Sequence, residues 1–106
     1  MQGFLATANV LEGVGVSAYL GAANVIANPD YITAAGAILT VEARHSAYLR
    51  GNQEPKPLSP FPAPFDIPLD FNQVFSLAAP FVVSCPDGKA GTLGLPFKAY
   101  PSIAGE

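Results

Sequence analysis

Proline is placed in this chain so that two long helices are permitted and little regular structure can follow them. Pro29 is the only proline in the first 54 residues, whereas Pro55, Pro57, Pro60, Pro62, Pro64 and Pro68 crowd the stretch that comes next. Proline removes a backbone donor and clashes with the preceding helical turn, so such density forbids helix and sheet ladders alike. The proline-free blocks carry apolar residues at helical spacing, among them Phe4, Leu5, Leu11, Ala18, Tyr19, Ala22, Val25 and Ile26 in the first. The sequence predicts a helix over 3–27 and a second over 29–50. Asn28 suits the N-cap of the second, Pro29 its first position and Asp30 its positive dipole end. Arg50 and Gly51 are its stop signals. Residues 51–69 are predicted to be extended and Pro-rich, with Phe61, Phe65 and Ile67 as anchors onto a surface. Asp70 is predicted to cap a short helix ending at residue 79. Residues 80–106 are read as an extended tail, with a turn at Pro86-Asp87-Gly88 and room for a short strand or hairpin. The expected fold is all-α, a single domain built on an antiparallel helical hairpin.

Gly13, Gly15 and Gly21 weaken the first helix, each by ~1 kcal/mol relative to Ala. Close approach of another helix would compensate. Charge bears on what that partner is. Half of the residues are hydrophobic and 12% are charged, about half the charged content usual for a soluble domain. Too little polar side chain is available to cover an isolated fold, which points to oligomerisation, with a membrane hairpin as the competing reading. Residues 3–27 are long enough to span a bilayer, but they contain Asn9, Glu12 and Asn24. A carboxylate near the middle of a lone span costs ~3 kcal/mol, and no aromatic belt or flanking cluster of Lys and Arg accompanies it. We therefore expect no membrane span. The net charge of −3, with scattered Lys and Arg, leaves no basic stripe for nucleic acid. Cys85 is the only cysteine, so it has no intrachain disulfide partner; it is read as a small apolar group, with a disulfide between two chains as the lesser alternative. Met1-Gln2-Gly3 lacks the basic start of a signal peptide.

Within the second block lies Glu42-Ala43-Arg44-His45. Residues three apart share a helix face, so Glu42 and His45 reach one point, and a carboxylate with an imidazole is a common start of a metal site. An antiparallel hairpin folded about residue 27 sets Glu12 level with Glu42 and Asn9 level with His45. Tyr19, two turns after Glu12, falls on the same face. Glu12 has no Lys or Arg in its own helix, and a buried unpaired carboxylate needs a partner, a proton or a metal. A metal-free Glu-His hydrogen-bond network satisfies the same residues. Glu12 and Glu42 could also form a general acid/base pair in a hydrolase, but no nucleophile elbow, phosphate loop or other catalytic signature accompanies them, so the balance is against an enzyme.

The run Asn28-Pro29-Asp30-Tyr31, Ala34-Ala35 and Ile38 through Arg50 resembles the second half of the ferritin-like domain of secreted fungal and bacterial proteins, including the stress- and desiccation-related group. Glu12 followed by Ala18-Tyr19-Leu20-Gly21-Ala22-Ala23 is similar to that family's third helix. Phe61 to Leu69 and Leu77-Ala78-Ala79-Pro80-Phe81 resemble its segment after the fourth. By this resemblance, which covers residues 3 to about 85, Glu12 corresponds to the lone carboxylate of the third helix. Glu42 and His45 correspond to the Glu-x-x-His of the fourth. The ligands of the family's first two helices have no counterpart among these residues, and three ligands do not hold two metal ions. Two copies about a two-fold axis would supply four carboxylates and two imidazoles, the ligand set of a ferritin-like bundle.

The resemblance thus implies a homodimeric four-helix bundle, two helices from each chain, in a secreted protein. Two iron or manganese ions would lie between the subunits, held by Glu12, Glu42 and His45, with Asn9 and Tyr19 behind them. The alternative is a metal-free, small secreted fungal interaction protein that keeps the scaffold. It would present Phe61 and Phe65 to a receptor or a cell-wall or cell-surface component. Fungal proteins that act on a taste receptor fit that class.

Overall fold

A computed structural model of the protein describes residues 1–83. The described chain is all-helical, in the order α1 (Gln2–Ala22), α2 (Pro29–Gly51) and α3 (Phe71–Ala78), followed by a single 3-10 turn over Ala79–Phe81. The Pro86-Asp87-Gly88 turn, the strand or hairpin and Cys85 fall outside the described residues. No helix among the described residues is long and apolar enough to cross a membrane.

Helix α2 begins as its sequence dictates. The Asn28 side chain accepts a hydrogen bond from the Asp30 N–H at 2.9 Å, with Pro29 at the first position. That cap satisfies one of the donors a helix start leaves unpaired. Helix α1 ends at Ala22, five residues short of the predicted boundary. Ala23, Asn24 and Val25 form a turn, in which the Val25 and Ile26 N–H groups both donate to the Ala22 carbonyl. Asn28 must be extended before Pro29, so the chain leaves the helix early enough to reverse direction.

The hairpin is antiparallel, but its levels are not those of a fold centred on residue 27. Glu12 meets His45, Asn9 meets Ser46 and Gly15 meets Glu42. At the open end, the Glu54 N–H donates to Gln2 Oε1 at 3.0 Å. Relative to the expected register, α2 is displaced along α1 by up to three residues, or ~4.5 Å at the helical rise. The cause is the connector of residues 23–28, which runs past the end of α1 before α2 starts.

The Pro-rich segment is extended and acts as a strap across one side of the hairpin. Arg50 Nη1 donates to the Pro60 carbonyl at 3.3 Å. Ser59 Oγ accepts from the Phe61 N–H and donates to the Phe61 carbonyl, which fixes the local bend. The Leu69 N–H donates to the Ser17 carbonyl of α1 at 3.1 Å. The strap is thus held through its backbone. The expected anchors are not buried: Phe61 is 69% exposed, Phe65 83% and Ile67 70%.

Helix α3 starts at a complete capping box. Asp70 Oδ1 accepts from the Gln73 N–H and Gln73 Oε1 accepts from the Asp70 N–H, both at 2.9 Å. It packs on α1. The helix ends at Ala78, one residue before its predicted end, and Pro80 sits in the 3-10 turn that follows.

Very little of this is core. Among the described residues Val16, 2% exposed, is the only fully buried large side chain, joined by Ser46 and Ser76. The strap and Val16 lie on one side of the hairpin. On the other, Phe4, Leu11, Ile38 and Tyr48 are exposed. At helical spacing Phe4, Leu11, Gly15 and Tyr19 share a face of α1, and Ile38, Glu42 and His45 share a face of α2. Among the described residues, the hairpin therefore has one side covered by the strap and one uncovered apolar side.

Candidate metal centre

Each predicted ligand arises from a helix position on that uncovered side. His45 Nδ1 lies 3.2 Å from Glu12 Oε1. A carboxylate only accepts, so Nδ1 carries the proton of this bond, and Nε2 is left for other use. The His45 side chain is 57% exposed and that of Glu12 27%, so the pair sits at the rim of the helix–helix seam.

Glu42 lies one turn further along, against Gly15. Its Cδ is 2.7 Å and its Oε1 2.9 Å from where a Cβ on residue 15 would stand, and its Oε2 is closer still. A side chain at residue 15 would displace that carboxylate from its present seat. Oε2 of Glu42 is buried and has no hydrogen-bond partner. Desolvation by this burial pushes the Glu42 carboxyl above its ordinary value of 4.5; the negative charge of Glu12 adds to the rise and His45 opposes it. This is the pattern of a carboxylate that lacks its counter-charge.

Stability should register that shift. The folded chain binds the Glu42 proton more tightly than the unfolded chain. Between 4.5 and the raised value it therefore holds more protons, and stability falls as pH rises through that window. In metal-free protein, Glu42→Gln is expected to remove this component. Urea midpoints of the variant should exceed wild type at neutral pH, and the difference should shrink under mildly acidic conditions. A constant difference would contradict the assignment.

Asn9 belongs to the layer beside the pair, although not through His45. Its Oδ1 accepts from Ser46 Oγ at 3.1 Å. Ser46 is the neighbour of the candidate site that sequence reasoning passed over; its signal was a small hydroxyl next to His45 and level with Gly13. Tyr19 shares the face of Glu12 by spacing but makes no hydrogen bond to it among the described residues. Arg44 is exposed, away from the acidic pair. Phe61 and Phe65 stand on the strap, apart from this cluster. Among the described residues no three His, Cys, Asp or Glu side chains are gathered to hold a metal ion. A single chain thus brings two of its three donors into contact and leaves the third one turn away.

Two antiparallel helices with one apolar side uncovered, carrying a carboxylate on one and a Glu-x-x-His on the other, define one half of a carboxylate-type four-helix bundle. The chain matches the ferritin-like domain family over residues 1–54, and it belongs to that family. The match takes in both long helices and stops as the strap begins. No curated protein and no solved structure matches the chain.

Proposed function

We propose that the protein works as a ferritin-like half-bundle that pairs with a second copy of itself, and that the pair holds two iron or manganese ions between the subunits. One observation carries this reading: Glu42 Oε2 is buried without a partner beside a second carboxylate, on the side of the hairpin away from the strap, where Phe4, Leu11 and Ile38 are exposed among the described residues. The strap occupies the opposite side, so a second hairpin has a single face on which to dock. The low charge content supports the same arrangement, because docking would cover Leu11, Ile38 and their neighbours.

The residues fit such a metal in kind. Carboxylates with imidazole suit iron and manganese. Glu12 and Glu42 would serve as carboxylate ligands, one kind bridging and one terminal, and His45 as the imidazole ligand. When bound, these metals supply redox or oxygen chemistry. The chain itself contributes a carboxylate seated on Gly15, an imidazole oriented by Glu12, and the Asn9–Ser46 hydrogen bond that steadies α2 next to His45.

Light-scattering mass and metal content, measured on one sample after reconstitution with Fe(II) or Mn(II), test the reading. The expected result is twice the chain mass with about two metal ions per dimer. A monomer, or a dimer free of first-row transition metal, would overturn it.

A second reading rests on the exposure of Phe61 and Phe65. Here the hairpin is a secreted, metal-free scaffold, and the strap presents those two rings to a receptor or a cell-surface component. Aromatic side chains held out on a short, Pro-stiffened segment bind at low entropic cost. The two readings part on Glu12.

A further inference from the structure

The strap does not lie flat on the hairpin. Between it and the two helices runs a cleft of about 520 Å³, within the range of roughly 300–1,000 Å³ usual for small-ligand sites. It lies on the opposite side of the hairpin from Glu12 and Glu42. Val16, Ala43 and Ala47 line it on the helix side, and Pro60, Phe61 and Phe65 on the strap side.

Its charge is uneven. Arg44 and Arg50 both line the cleft, against one carboxylate, Asp66. Arg50 spends one of its five donors on the Pro60 carbonyl. Arg44 makes no hydrogen bond or ion pair among the described residues. Asp66 pairs with neither guanidinium within ion-pair distance. An apolar slot with a free guanidinium and a second, partly used one asks for an anion attached to an apolar body. The planar fork of a guanidinium favours a carboxylate, which it grips through two parallel hydrogen bonds.

We propose that this cleft binds a medium-chain carboxylic acid, its carboxylate on Arg44 and its hydrocarbon chain along Val16, Ala43 and Ala47. The small residues Gly13, Ala43 and Ala47 give the chain a smooth floor, and the strap, fixed at Pro60 and Leu69, gives it a preformed roof. The site is independent of any metal on the other side of the hairpin.

The test is titration of the full chain, in chelator and at fixed ionic strength, with decanoate and with its neutral isostere decanamide. Decanoate is expected to bind about tenfold more tightly than the amide, the size of one charge-assisted hydrogen bond. Arg44→Gln should abolish that preference and leave amide binding unchanged. Arg44 is exposed, so this variant is expected to fold, with circular dichroism as the check. Ala63→Trp, an exposed strap position that lines the cleft, should block both ligands, whereas Leu11→Gln on the opposite side should affect neither. Equal affinity for acid and amide, no binding of either, or a preference that survives Arg44→Gln would each overturn the proposal. So would decanoate binding that weakens as protein concentration rises, because a second copy would then be the occupant.

Discussion

Gly21→Ala is expected to destabilise the protein by about 1–3 kcal/mol, the cost of overpacking with one methyl and losing one backbone hydrogen bond less the helix gain. In an isolated helix the same change would stabilise. The reversal comes from the strap. A Cβ on residue 21 would meet the Leu69 backbone directly, with Leu69 C at 2.7 Å and N at 2.9 Å and its carbonyl oxygen nearer still. Backbone does not yield as a flexible side chain does. Leu69 must move away, and its N–H then loses the Ser17 carbonyl. The strap would come loose where it leads into α3. Gly36→Ala is the control, because a Cβ there meets nothing. It should raise stability by about 0.5–1 kcal/mol. Urea midpoints at unchanged m report both changes. Faster proteolysis within residues 53–69 of the Gly21 variant would place the damage in the strap. If the two alanines shift stability in the same direction, Leu69 is not held against α1.

Gly13, Gly15 and Gly21 of α1 also show what sequence could and could not yield. All three read as sites of close approach by another helix. Gly13 meets that expectation in part, since it faces Ser46 Oγ of α2 at 4.0 Å. Gly15 accommodates a carboxylate, and Gly21 accommodates a segment of backbone nearly fifty positions later. Spacing announces that small residues are needed but carries no information about what approaches them.

The helices themselves were legible because proline and the Asn28 cap act locally, and local rules hold without knowledge of the tertiary fold; α2 runs one residue past its predicted end, through Gly51 to a cap at Asn52. The register was not. It depends on the path of the connector 23–28, and α1 ends at Ala22 through a turn that no strong stop residue marks. For the same reason the ligand residues were legible and their pairing was not. Helical spacing put Glu12, Glu42 and His45 on facing surfaces. The displacement of α2 then gave His45, rather than Glu42, to Glu12. Phe61 and Phe65 show the converse error: bulky apolar residues read as anchors, while backbone hydrogen bonds do the anchoring.

Glu12→Ala separates the two readings of function more sharply than any other change, because they assign opposite consequences to one side chain. If two copies share a metal centre, each copy contributes this carboxylate, and the substitution removes two of four carboxylates at once. His45 also loses the partner that orients it. Metal content should fall from about two ions per dimer to none, and the loss of such oriented ligands typically costs at least ~10–100-fold in affinity. If the hairpin is a metal-free scaffold, the same change deletes a partly buried acid that pushes up the Glu42 carboxyl. Glu42 then ionises more readily, stability at neutral pH is unchanged or increases, and binding through Phe61 and Phe65 is untouched. Metal analysis and a urea titration on the same variant give the answer together. Loss of metal from a protein that held it before the substitution means a shared centre. Higher stability in a protein that held no metal before the substitution means a scaffold. The direction of the Glu42 shift makes the experiment informative either way, because relief of Glu42 is expected in both cases and only the metal-bound state has something to lose.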